Sequence, residues 1–115
     1  MPNYRRAWYP GGTYFFTVNL LERLGNALLV NHIDALRAAI RAVKQSHPFE
    51  IHAWVVLPDH MHCVIELPQD DSDFAMRWRL IKARFSKSIP PKNHARSFEY
   101  AVANEVFGNG VIGNI

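Results

Sequence analysis

Two histidines, His60 and His62, stand one residue apart in the stretch Leu57-Pro58-Asp59-His60-Met61-His62-Cys63-Val64-Ile65-Glu66-Leu67. In an extended strand successive side chains alternate faces, so both imidazoles project together while Met61, Cys63 and Ile65 turn toward a core. Two imidazoles so placed can chelate a divalent cation. Held by them and a third ligand, a cation would withdraw charge from a phosphodiester and orient it for in-line attack, but would supply no nucleophile. The same pair could equally be polar residues on the wet face of a half-buried sheet, and the spacing alone leaves both readings open. Asp59 could orient a ligand or a water, or serve only as the turn residue after Pro58. Glu66 shares the histidine face by alternation and reads as a solvated strand-end carboxylate. His32, His47, His52 and His94 lack ligand spacing and read as surface residues.

A second kind of chemistry lies in the cations. The N-terminal arm sets Tyr4, Trp8 and Tyr9 beside Arg5 and Arg6, a composition that can stack on unpaired bases and pair with phosphates. The rings could instead pack on the domain edge and leave only the arginines wet. Between Asp73 and Lys92 lie Arg77, Arg79, Lys82, Arg84, Lys87 and Lys92 against the single acid Asp73. That stripe could follow nucleic-acid phosphates or be a solvated helix face. The net charge of +3 permits such a partner without demanding it.

At 115 residues and 49% apolar content the chain is of single-domain size and globular composition. It has no apolar run near the roughly 20 residues that cross a bilayer, and no apolar segment after Arg5 and Arg6 of the kind a signal peptide needs. The lone Cys63 excludes an internal disulfide framework and a cysteine zinc site, and suits a reducing cytoplasm.

The elements that must position these residues follow from periodicity. Thr13 to Leu21 is dense in strand formers. Asn31 is expected to cap a helix over His32 to Ser46, with Ile33, Leu36, Ile40 and Val43 inward and Arg37, Arg41 and Lys44 solvated. Phe49 to Leu57 and His60 to Leu67 form a hairpin about Pro58-Asp59. Phe74, Trp78, Ile81 and Phe85 mark a second helix from Asp73 to Ser88, stopped by Ile89-Pro90-Pro91. Strand, helix, strand, strand, helix is the start of an α+β, ferredoxin-like or RRM-like split β-α-β-β-α-(β) sandwich, an antiparallel sheet with helices on one face. The last strand is expected to be missing or replaced, which would expose an edge and subtract core.

Several separated motifs, taken in order, give the chain a family resemblance. Pro2-Asn3-Tyr4-Arg5-Arg6, Pro10-Gly11-Gly12-Thr13-Tyr14-Phe15-Phe16-Thr17-Val18-Asn19-Leu20-Leu21, Ala53-Trp54-Val55-Val56-Leu57-Pro58-Asp59-His60-Met61-His62 and Arg77-Trp78-Arg79-Leu80-Ile81-Lys82 resemble the REP-associated tyrosine transposases. These belong to the HUH single-tyrosine transposases of small bacterial insertion sequences. The resemblance runs from residue 2 to about residue 92. It implies a DNA transposase acting on single-stranded or hairpin DNA in a divalent-metal reaction, with magnesium or manganese, through a 5′-phosphotyrosine intermediate. His60 and His62 match the HUH histidines, as catalytic residues and metal ligands, and Met61 is the apolar residue between them. DNA contacts are expected from Tyr4, Arg5, Arg6, Arg77, Arg79, Lys82, Arg84 and Lys87. A cytoplasmic, nucleoid-associated protein follows, whether monomer or homodimer, with no membrane partner.

The resemblance divides the chain into residues 1–92, an incomplete HUH catalytic domain, and residues 93–115, a tail without it. Relatives continue with a motif like Gly-Glu-Arg-Gly-(Val/Ile)-Trp-Gln-Arg-Arg-Tyr-Trp-Glu-His, whose tyrosine is taken as the nucleophile. Here Val106 to Ile115 holds no tyrosine. The bases fixed by Val102 to Ile115, regrouped from each third codon position, permit that motif in unbroken order. This leads to the expectation of a frameshift between about Pro91 and Phe98 and an out-of-frame tail. Tyr100 is the only tyrosine beyond the second helix and a weak substitute nucleophile. The alternative is a single-stranded nucleic-acid binder without chemistry. A metal-dependent phosphoesterase is a third possibility, for which no third ligand is in sight.

Overall fold

The computed structural model describes residues 10–20, 27–90 and 98–105, the last stretch in its backbone. Along the chain it contains β1 (Thr13–Leu20), α1 (Leu28–Asn31), α2 (Ile33–Ser46), β2 (Glu50–Val56), β3 (His60–Glu66), α3 (Phe74–Ser88) and β4 (Phe98–Glu105). The strands form one antiparallel sheet in the order β2-β3-β1-β4. This is the split β-α-β-β-α-β order of the ferredoxin-like plan, in which β3 is inserted between β1 and β2.

Periodicity decides which face of each strand is dry. In β3 Met61, Cys63 and Ile65 are buried, and the residues between them, His60 to Glu66, are half-buried. In β1 Tyr14, Phe16, Val18 and Leu20 are buried and Phe15, Thr17 and Asn19 are not. Leu36, Ala39 and Val43 of α2 and Phe74, Trp78, Ile81 and Phe85 of α3 cover this apolar face in one core. Each such aliphatic or aromatic side chain contributes about 1.5–3 kcal/mol on burial. A register slip of one residue in β3 would send both histidines into that core and three apolar residues out.

Two local contacts fix the ends of the sheet. Gly11 has φ +75°, and a Cβ there would stand 3.1 Å from the Gln69 backbone, so the turn before β1 requires glycine. Its amide donates to the Asp71 carbonyl at 2.9 Å, and the Leu67 amide donates to the Gly12 carbonyl at 3.0 Å. At the other end the Leu20 amide donates to the Asp59 carbonyl, which ties the β2–β3 turn to β1.

The structure corrects three expectations. First, a fourth strand is present, which excludes only the missing-strand half of the expectation that it is missing or replaced: β4 pairs with β1 from Leu20↔Phe98 to Tyr14↔Glu105. Residues of the presumed tail therefore take the sheet edge, because the free backbone edge of β1 is a ready template for pairing. Second, Asn31 is not the cap of the first long helix. It ends the short α1, and His32 precedes α2 without a side-chain cap bond. In contrast, Asp73 does cap α3, accepting from the Met76 amide at 3.0 Å.

The third correction concerns Arg77, expected among the DNA contacts. It is 2% exposed. Its Nε donates to the His47 carbonyl, Nη1 to Asp71 and the Asp73 carbonyl, and Nη2 to Asp71 and the Pro48 carbonyl. A guanidinium has five N–H groups, and all five are used inside the fold. Arg77 is a clamp between the α2–β2 turn and the start of α3, with no donor left for a phosphate.

Candidate metal and DNA site

The strand alternation of β3 does bring His60 and His62 to one face, the sheet face opposite the helices. Their ring centroids lie 5.1 Å apart with planes at 81°. Each ring is held through Nδ1. His60 Nδ1 lies 2.7 Å from Asp59 Oδ1, and His62 Nδ1 lies 3.1 Å from Thr17 Oγ1. A carboxylate only accepts, so His60 donates from Nδ1 and its neutral ring carries the lone pair on Nε2. The Thr17 hydroxyl can act as acceptor for His62 in the same way. Thr17 is the cross-strand partner of His62 in the β1–β3 register, and Asn19 that of His60. Phe15 stacks along the His62 ring at 5.8 Å and 13°. With Nδ1 of each ring engaged, Nε2 is the nitrogen each could offer a ligand, and a hydrogen bond at the other ring nitrogen is the usual way such a ring is oriented.

The donor set fits a divalent cation as two of its ligands. Among the described residues no group of three or more His, Cys, Asp or Glu side chains could complete it. Glu66 lies on the same face but is engaged elsewhere, 2.9 Å from His52 Nε2. His52 sits where the β2–β3 register shifts between Ile51 and Ala53, so a bulge turns it toward Glu66. On the dry side of β3, burial pushes the Cys63 thiol pKa far up, so it is no thiolate ligand.

With the geometry in hand, comparison with known proteins is decisive. Over 106 residues, covering 90% of this chain, the sequence is 50% identical to a REP-associated tyrosine transposase of Escherichia coli. Over nine-tenths of its own length the chain is similar to a REP-associated tyrosine transposase. A Haemophilus influenzae protein of the same description is 38% identical over 90 residues. A solved REP-associated tyrosine transposase, bound to a REP hairpin, matches with TM-score 0.75 and 48% identity over 90% of this chain. A transposase-like structure from Deinococcus radiodurans, at 17% identity and TM-score 0.54, shares the fold. No family model matches. The chain spans 64% of the Escherichia coli relative and 51% of the Haemophilus influenzae one. An aligned share of 90% is more than residues 1–92 of 115 can supply, so the likeness to these transposases extends past residue 92.

The other expected site residues fall into three groups. Arg79, Arg84 and Lys87 are exposed on α3 and Lys82 is half-buried there, all in the helix layer and so across the sheet from His60 and His62. Tyr4, Arg5 and Arg6 lie outside the described residues, as does His94. Tyr100 is in β4, where its register partner is Val18, a position of the buried set, whereas the histidines are partnered by Thr17 and Asn19. Tyr14, the one tyrosine whose side chain is described, is buried in the core. Among the described side chains no tyrosine hydroxyl therefore shares the histidine face. Sequence reasoning missed Thr17 and Phe15. Their alternation along β1 was visible, but the register that puts them against His62 was not. No helix among the described residues is long and apolar enough to cross a membrane.

Proposed function

We propose that this chain carries the metal-binding half of a DNA transposase site, with His60 and His62 as the cation ligands and single-stranded or hairpin DNA as the substrate. What supports this is the anchoring of both Nδ1 atoms, to Asp59 at 2.7 Å and Thr17 at 3.1 Å, which leaves Nε2 of each ring as the nitrogen for a cation. The relative's complex with a REP hairpin supports the choice of substrate. When bound, a divalent cation, magnesium or manganese, supplies Lewis-acid polarisation of a phosphate. Asp59 and Thr17 fix the rings, and Phe15 packs along one of them. The tyrosine that would attack the phosphate and take up a 5′-phosphotyrosine bond is not among the described side chains of this face. The chain then binds DNA, in the cytoplasm at the nucleoid, without cleaving it.

The test uses the full chain, manganese and a labelled hairpin carrying a single-stranded flank. Manganese binding, followed by paramagnetic resonance, is expected in the parent and lost in His60→Ala and His62→Ala, with DNA bound and no covalent adduct formed. Equal manganese affinity in the histidine variants would remove the metal reading. A covalent protein–DNA adduct from the unaltered chain would refute the missing nucleophile.

A further inference from the structure

A concavity lies away from the histidines, between α2 and the edge strand β2. It has a volume of about 650 Å³, within the roughly 300–1,000 Å³ of ligand sites. Ile33, Ile40, Ile51 and Trp54 line its apolar side, and Arg37, Arg41 and Lys44 form its wall. Among the described residues no carboxylate lines it. Among the described residues the large apolar side chains that are most exposed, Val30, Ile51 and Val55, all sit in the groove or on its edge strand.

The cations are spaced i, i+4 and i+7, which sets them in one line along α2, spanning about 10 Å at 1.5 Å per residue. They make no ion pair among the described residues; the pairs present there are His52–Glu66, His60–Asp59 and Arg77–Asp71. An anionic occupant is therefore indicated. Its backbone must be charged along its length, and it must offer apolar faces to Ile51 and the indole. Unstacked nucleic-acid bases meet both demands, whereas a duplex offers phosphates alone. Strand addition by a peptide or a second copy is disfavoured, because the register shift between Ile51 and Ala53 bends this edge. Two copies meeting here would also bring two basic lines together.

We propose that the α2–β2 groove is a second DNA contact that takes a single-stranded segment, with phosphates on Arg37, Arg41 and Lys44 and a base against Ile51 and Trp54. This rests on the reading of the chain as a DNA binder and adds to it a site separate from the histidines. The groove also lies next to them in a useful way. Val55 is the register partner of His62 and is 54% exposed. A strand leaving the groove over β2 thus crosses Val55 and arrives at His62, so the groove would anchor the flank that the histidine face receives.

The full chain is titrated with a fluorescent hairpin bearing a single-stranded flank, and with the blunt hairpin, over a range of salt. In the Arg37→Gln/Arg41→Gln/Lys44→Gln variant, affinity for the flanked hairpin should fall about tenfold or more. The slope of log affinity against log salt should flatten by about 2, at roughly 0.7 per single-strand phosphate contact. Ile51→Asp should weaken the flanked hairpin and spare the blunt one. In the unaltered chain Lys44 should be protected from acetylation by the flanked hairpin, a readout that needs no variant to fold. If the parent binds DNA and the variants match it in affinity and slope, or if Lys44 is not protected, the groove proposal is wrong and the DNA reading stands. If the parent binds neither hairpin, both fall. A variant that changes the sedimenting mass but not DNA affinity would make the groove a contact between copies, or with an acidic peptide, and overturn the proposal.

Discussion

Replacing Arg77 separates the structural reading of the basic helix from the nucleic-acid reading. Arg77→Ala removes five donors at once and leaves the carbonyls of His47, Pro48 and Asp73 and the carboxylate of Asp71 without them. A buried acceptor stripped of its partner costs about 1–3 kcal/mol. The Asp71 side chain is 32% exposed, so water replaces much of its lost partner and its share is discounted. Pro48 and Asp73 are exposed residues and His47 is half-buried, so the three carbonyls count at the low end, about 1 kcal/mol each, and with the carboxylate the loss is about 3–5 kcal/mol, the range for breaking a buried pair from one side. Against a total stability of about 5–15 kcal/mol for a domain, that is a large fraction. With a urea slope of about 1–3 kcal/mol/M, the unfolding midpoint should drop on the order of 2 M. Arg77→Lys should lose most of this as well, since one ammonium cannot span four acceptors on different sides. Urea titration followed by circular dichroism measures it, with Arg84→Ala as the exposed control, expected within about 0.5 kcal/mol of the parent. If Arg77→Ala is as stable as that control yet binds hairpin DNA less well, Arg77 is a phosphate ligand and the clamp argument is wrong.

Two further outcomes follow from the same contacts. Asp59→Ala and Thr17→Val each remove the partner of one histidine Nδ1, and manganese affinity should fall about 10–100-fold while the unfolding midpoint stays near the parent; unchanged affinity would mean that the rings are oriented by packing alone. The acid limb of stability should carry the signature of Asp71, whose carboxyl is held below its usual pKa chiefly by the Arg77 hydrogen bond, then by the Asp73 amide. A lowered folded pKa gives a contribution present in full above the unfolded value of about 3.9 and lost as pH falls through the folded value. Urea midpoints measured down through pH 4 should therefore fall in the parent, and Asp71→Asn should lack that part of the slope; parallel curves would exclude the pair as its source.

The faces of β1, β3 and both long helices were legible because each rests on periodicity, a property of the residues alone. The hairpin of β2 and β3 was legible from Pro58-Asp59. What was not legible depends on partners distant in sequence: that Thr17 meets His62, that β4 completes the sheet, that Trp54 floors a groove. Arg77 is a different case, since its place could have been read. It stands three residues after Phe74 and four before Ile81, inside the apolar arc of α3, where a charge survives only if every donor is matched. Asp71 and Asp73 just upstream were the available partners. Reading it as one more member of a basic stripe assumed that all charges on a helix face solvent. Removing Arg77 from the stripe leaves the exposed α3 cations on the helix layer and the histidines on the opposite sheet face, so no flat segment of DNA can touch both. A substrate that engages the two must turn around an edge of the sheet. At one edge stands β4, paired to β1; at the other is β2, where Ile51 and Val55 are exposed and the cations of α2 line the way. The path with both charge and apolar surface along it runs over β2.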